Sequence, residues 1–175
     1  MHMAGYNKKA VVDAKRGKLF TKMSRLITMA VKEAGGDADH SSVAVAIERA
    51  KKVSVPKDII EKAVKKGSDK NAAAMEAVTY EGYGPGGVAL IINALTDNRN
   101  RTGQEVRHAF SKHGFEMGVP GSAAWAFVRN PEGDYQPLGG TEVGLAEADQ
   151  ELLELLVKDI EALDDVSDVV TNKAH

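Results

Sequence analysis

The sequence predicts an α+β protein in two parts, and three observations carry that expectation. As far as Gly67, apolar residues recur at three- and four-residue spacing with lysines and arginines between them. Near Ala72 the pattern changes to short runs rich in Val, Ile and Tyr, separated by glycine clusters. Charge is sorted along the chain too. Up to Lys70 there are 16 Lys and Arg against 8 Asp and Glu; residues 71–129 hold 5 of each; residues 130–175 hold 2 against 12. The net charge of −2 therefore conceals a basic front and an acidic tail. Such asymmetry points to nucleic acid or another polyanion as partner, with a solvated lysine-rich surface as the alternative.

The first part reads as three helices. Leu19, Phe20, Met23, Leu26, Ile27, Ala30, Val31 and Ala34 make one apolar face that stops at Gly35-Gly36. Lys15, Lys18, Lys22, Arg25 and Lys32 fall away from that face. A second helix runs from Ser42 to Val53, with Val43, Ala46, Ile47 and Ala50 inward. Pro56 opens a third, since its missing N–H is not needed in a first turn, and Gly67 ends it.

In the second part, Val78-Thr79-Tyr80 and Val88 to Leu95 are strands joined through the Gly82–Gly87 segment. Thr102 to His113 is helical, with Thr102 and Glu105 at capping-box spacing. Ala123 to Val128 is a strand, and a weaker one lies between Tyr135 and Val143. Glu147 to Leu163 is an amphipathic helix with Leu152, Leu153, Leu156, Ile160 and Leu163 inward, and Val166 to Val170 is the last strand. The order ββαββαβ predicts a ferredoxin-like sandwich with both helices on one face of an antiparallel sheet. We expect residues 1–72 to form a basic helical domain with an N-terminal arm, and residues 73–175 the ferredoxin-like domain.

Chemistry-bearing motifs are few. The Asp97-Asn98-Arg99-Asn100-Arg101-Thr102 turn joins a strand to a helix N-terminus, where free N–H groups and the helix dipole favour an anion. Arg99 and Arg101 can grip a phosphate there, or pair with the acidic tail. The Gly84-Pro85-Gly86-Gly87 tip has no acid–base side chain and no Walker-type Gly-Lys-Ser/Thr ending. Tyr80 and Tyr83 beside it suit base stacking or, more simply, sheet packing. The five histidines are scattered, and His113 on the apolar side of its helix reads as a satisfied, partly buried residue. With no cysteine, thiolate chemistry and disulfides are excluded. The absence of a long apolar run or a leader-like start leads us to expect a cytoplasmic protein.

Long strings in one order resemble the YebC/PmpR family. They are Met3-Ala4-Gly5, Asp13-Ala14-Lys15-Arg16-Gly17-Lys18, Tyr80-Glu81-Gly82-Tyr83-Gly84-Pro85-Gly86-Gly87, Thr96 to Thr102, Glu105 to Lys112 and Gly121-Ser122-Ala123-Ala124-Trp125. Two departures accompany them. The family's His-Ser-Lys-Trp-Ala-Asn-Ile-Lys tract after Met-Ala-Gly is replaced by Tyr6-Asn7 running into Lys8-Lys9, and a lobe that follows the Trp strand in longer members has no counterpart.

The resemblance implies a non-enzymatic nucleic-acid-binding regulator without metal or cofactor. We expect a monomeric, ribosome-associated translation factor that binds ribosomal RNA, with a DNA-binding transcriptional regulator as the alternative. Lys8, Lys9, Lys15, Arg16, Lys18, Lys22, Arg25, Lys51, Lys52, Lys65, Lys66, Arg99 and Arg101 are the expected phosphate contacts. Gly84, Pro85, Gly86 and Gly87, with Asp97, Asn98 and Asn100, are the expected functional loops.

Overall fold

The computed structural model describes residues 3–70, 74–131 and 133–175, and for residues 3–15 the backbone alone. The chain forms two compact units, Met1–Glu76 and Ala77–His175. The expected boundary at 72/73 falls on residues outside those described.

The first unit has three helices: α1 (Met3–Glu33), α2 (Ser41–Lys52) and α3 (Lys57–Ser68). Its core is the apolar face read from the sequence: Met23, Ile27, Ala30 and Val31 of α1 meet Val43 and Ala50 of α2 and Ile60 and Ala63 of α3. Two expectations change. The segment expected as an N-terminal arm is helical backbone from Met3, continuous with α1. Gly67 is not a stop signal: α3 runs on to Ser68, and Gly67 is a contact point against α1. A Cβ there would stand 2.6 Å from Val31 Cβ and 2.8 Å from the Thr28 carbonyl oxygen. At the same seam Thr28, buried, donates to the Ala63 carbonyl at 2.9 Å.

The second unit is α+β, as expected. Its main sheet has four strands in the order β3-β1-β2-β6, from β1 (Glu76–Tyr83), β2 (Ala89–Thr96), β3 (Met117–Gly118) and β6 (Val166–Thr171). β3 and β6 pair antiparallel with β1 and β2, with Glu81 opposite Gly118 and Ile92 opposite Val169. Helices α4 (Arg99–Lys112) and α5 (Glu147–Glu161) cover one face, where Val88, Leu90 and Ile92 pack on Val106, Phe110, Leu153, Leu156 and Ile160.

The other face differs from the single-sheet expectation. Ala124–Ala126 form a 3-10 turn, and β4 (Phe127–Arg129) pairs with β5 (Tyr135–Pro137) as a separate small sheet. Ala123, Ala126 and Phe127 pack there on Ala89 and Ile91. β2 is therefore buried on both faces, which explains its unbroken apolar run. Leu152, expected inward, is exposed, because Leu153, Leu156 and Ile160 form the seam of α5.

His113 at the end of α4 lies where expected, half-buried, with Nε2 2.6 Å from Asp159 Oδ2 on α5. Lys112 Nζ is 3.3 Å from the same oxygen. These two donors, His113 first, hold the Asp159 carboxyl below its ordinary value of 3.8.

Two predictions follow from this packing. Gly67→Ala destabilises the protein by about 1–3 kcal/mol in urea unfolding, because overpacking against Val31 outweighs the gain in helix propensity of about 1 kcal/mol. A stabilised variant would contradict the contact. The depressed Asp159 pKa contributes stability that is present above its ordinary value and lost as pH falls through the lower folded value. Asp159→Asn is therefore less stable than wild type at neutral pH, and the gap closes on acidification below about pH 4. A pH-independent gap in parallel urea titrations would count against the cluster.

Candidate nucleic-acid interface

On the first unit, apolar burial sends the cations of the short helices outward. Lys51, Lys52, Lys62, Lys65 and Lys66 are all exposed, as is Arg16 of α1. Lys62, Lys65 and Lys66 share one side of α3 by their spacing. Arg49, Lys51 and Lys52 lie in the last turn of α2, and Lys65 and Lys66 in that of α3, where the carbonyl end of a helix favours positive charge. Lys18, Lys22 and Arg25 of α1 stand differently: they are half-buried rather than fully solvated. The side chains of Lys8, Lys9 and Lys15 lie outside those described. Residues Met1–Glu76 carry 16 Lys and Arg against 9 Asp and Glu.

On the second unit, Gly84–Gly87 link β1 to β2 by a 3-10 turn, Pro85–Gly87. Gly84 and Pro85 are buried, Gly86 and Gly87 exposed. Each of the first three glycines in Gly82-Tyr83-Gly84-Pro85-Gly86 has a packing reason. A Cβ on Gly82 would strike the Phe110 ring at 2.7 Å; on Gly84 it would crowd Leu90 and Leu156; on Gly86, at φ 67°, it would meet Leu145. Gly87, at φ 82°, faces open space. Tyr80 and Tyr83 take sheet roles. Tyr80 donates to the Arg99 carbonyl at 3.0 Å on the helical side, and Tyr83 to the Ser122 carbonyl at 2.6 Å on the other.

The Asp97–Thr102 turn is tied to the acidic tail. Asn98 caps α4 by accepting from the Arg101 amide at 3.1 Å, so the helix begins three residues before Thr102. The expected Thr102–Glu105 box is replaced, because an Asn is as good a cap as Thr and the Thr102 hydroxyl is engaged elsewhere. Thr102 is buried and donates to Asp165 Oδ2 at 2.7 Å, with Thr96 Oγ1 at 2.8 Å. Arg101 donates to the same Asp165 oxygen at 2.8 Å and to Asp97 at 3.0 Å. The Asp165 hydrogen bond and then that of Asp97 raise the Arg101 pKa above its ordinary value. The Arg101 side chain is still 47% exposed, and its guanidinium has more donors than these two bonds use. Asn98, Asn100, Arg101, Gln104, Glu105 and His108 line an open depression of about 530 Å³ beside the turn.

Sequence reasoning missed Glu81. It is buried, and its carboxylate accepts from the amides of Gly121, Ala123 and Ala124 at 2.5, 2.9 and 2.7 Å. The available signal was a carboxylate at a strand position between Tyr80 and Gly82. Asp165 was counted only as part of the acidic tail. Among the described residues, no group of His, Asp and Glu has an arrangement that could hold a metal ion, and no helix is long and apolar enough to cross a membrane.

The Asp165 cluster makes a direct prediction. Thr102→Val leaves a buried carboxylate short of one donor and destabilises the protein by about 1–3 kcal/mol. Hydrogen exchange at the Asn98–Arg101 amides rises with it; unchanged exchange and stability would show that Thr102 is dispensable.

Comparisons with known proteins match both units. Residues 6–70 match the family model for the TACO1/YebC protein N-terminal domain, and residues 75–133 the model for the TACO1/YebC second and third domain. A probable transcriptional regulatory protein of Desulfosudis oleivorans is 42% identical over 97% of this chain and 71% of its own length. One from Syntrophotalea carbinolica is 41% identical over 98% of this chain and 71% of its own length. The crystal structure of a conserved hypothetical protein from Aquifex aeolicus superposes with a TM-score of 0.80 at 30% identity, covering 93% of this chain and 92% of that one. The chain belongs to the TACO1/YebC family.

Proposed function

We propose that this protein is a non-enzymatic, nucleic-acid-binding regulator that acts on the ribosome and helps stalled or difficult translation. Cationic helices of the first unit dock on ribosomal RNA phosphates. The Gly86–Gly87 tip and the Asp97–Arg101 turn of the second unit serve at the place of action by positioning, which lowers the entropy of reaching a reactive geometry. It works as a cytoplasmic monomer without cofactor.

One observation carries this reading: Lys51, Lys52, Lys62, Lys65 and Lys66 are all exposed while the apolar faces of their helices close a core. The non-enzymatic part is supported by a tip without acid–base side chains and by an Arg101 already paired with Asp97 and Asp165. Lysine-rich helix surfaces contact backbone phosphates, which position a protein but carry no base sequence. That favours structured RNA recognised by shape. The second reading, a regulator bound to promoter DNA, is favoured by the relatives' printed name, probable transcriptional regulatory protein.

Sucrose-gradient sedimentation of lysate followed by crosslink mapping separates the two. Comigration with ribosomes and crosslinks from the first unit to ribosomal RNA are the expected result; crosslinks confined to promoter DNA would overturn it. Replacing Lys62, Lys65 and Lys66 by Glu is expected to lower ribosome association at least tenfold without changing the circular dichroism spectrum. Undiminished association would remove α3 as a docking surface.

A further inference from the structure

Trp125 is the single tryptophan of the chain and is 59% exposed, although Ala123 and Ala126 on either side are fully buried. An indole left outside a core is ordinarily free to swing. This one is held: its Nε1 donates to Tyr83 Oη at 2.6 Å, and Tyr83 in turn donates to the Ser122 carbonyl at 2.6 Å. The loop beneath is fixed by the buried Glu81 carboxylate on the amides of Gly121, Ala123 and Ala124, the residues just before the ring. A buried carboxylate is costly unless fully hydrogen-bonded, so its use to anchor this loop has a structural result: the ring is presented outward in one orientation. Core packing does not require that, because the core here is made by Ala123, Ala126 and Phe127.

The surroundings fit an anionic, aromatic ligand. Trp125 belongs to the face of the sheet opposite α4 and α5, so the exposed Glu147, Glu151 and Glu154 of α5 lie on the other side of the unit. From Met117 to Pro131 there is no carboxylate and the one charged residue is Arg129, while Asp134 and Glu142 are exposed at the edges of the small sheet. Arg129 is exposed on β4, with its guanidinium 4.4 Å over the Tyr135 ring and one N–H donated to Tyr135 Oη at 2.7 Å. That arrangement pre-orients the cation and leaves its other donors for a phosphate.

We infer that Trp125 is a stacking platform for an unpaired RNA base, with Arg129 taking an adjoining phosphate. An unpaired base offers the flat apolar face that a pinned indole needs, and stacking tolerates any base. A duplex hides those faces. The inference rests on the proposed nucleic-acid function but concerns the second unit, whereas the backbone docking described above belongs to the first.

Because Trp125 is alone in the sequence, its fluorescence reports on this site directly. Full-length protein is titrated with a labelled single-stranded oligouridylate and with a blunt RNA duplex of equal length. Anisotropy of the label measures total binding, and tryptophan emission measures stacking. The single strand is expected to quench emission and the duplex is not. Trp125→Ala raises the Kd for the single strand about tenfold, leaves duplex binding and thermal unfolding unchanged, and is partly rescued by Trp125→Phe. Should the Ala variant unfold, the quenching of wild type and the binding of the Phe variant decide. Single-strand binding with unaltered emission and a neutral Trp125 variant overturns the inference alone. Absence of binding by either RNA overturns it together with the proposed function. Loss of ribosome association in Trp125→Ala with unchanged oligonucleotide binding assigns the ring to a protein contact and also overturns it.

Discussion

Burial of β2 on both faces is the constraint from which the second unit's surfaces follow. A strand covered on one side by helices and on the other by a small sheet must be apolar throughout, and Ala89–Leu95 is so except at Asn93. That exception is satisfied laterally, accepting from Thr79 and donating to Asp168. Double burial also separates the two exteriors. One exterior is acidic, through α5; the other presents Trp125 and Arg129, with Asp134 and Glu142 exposed beside the small sheet. The strand's end fixes the turn as well: Thr96 is buried, accepts from the Asn98 amide at 2.9 Å and meets Thr102 beside Asp165.

The first unit solves a different problem. Three helices of 31, 12 and 12 residues bury modest apolar faces, so backbone approach has to be close, and Gly67 permits it. Excess positive charge destabilises a compact unit by self-repulsion. Placing Lys51, Lys52, Lys65 and Lys66 in the last turns of α2 and α3 offsets part of that through the helix dipoles. Stability and the proposed phosphate docking therefore draw on the same residues.

Periodicity made the helical core legible: Met23, Ile27, Ala30 and Val31 are where three- and four-residue spacing puts them. The β1–β2 pair and α5 were legible for the same reason. What periodicity could not supply is tertiary choice. Asn98 and Thr102 are equivalent caps on paper, and only the position of Asp165, 63 residues away from Thr102, decides between them. Gly67 and Gly82 read as punctuation, whereas neighbouring side chains from α1 and α4 make them contacts. Leu152 and Leu153 adjoin in sequence, and the one-residue offset between seam and surface was set by packing against the sheet. For the site, exposed lysines were readable as cations between apolar positions. The half-burial of Lys18, Lys22 and Arg25 was not, because spacing along one helix does not report tertiary surroundings.

The account turns on phosphate docking by the helical unit, and salt dependence measures that most directly. Binding of the full chain to a structured ribosomal RNA fragment, followed across salt concentration, is predicted to fall linearly in log–log form, by about 0.7–0.9 for each phosphate engaged. A slope equivalent to several contacts, reduced when Lys62, Lys65 and Lys66 are reversed, agrees with the account. Affinity that hardly responds to salt, or a slope untouched by those reversals, contradicts it.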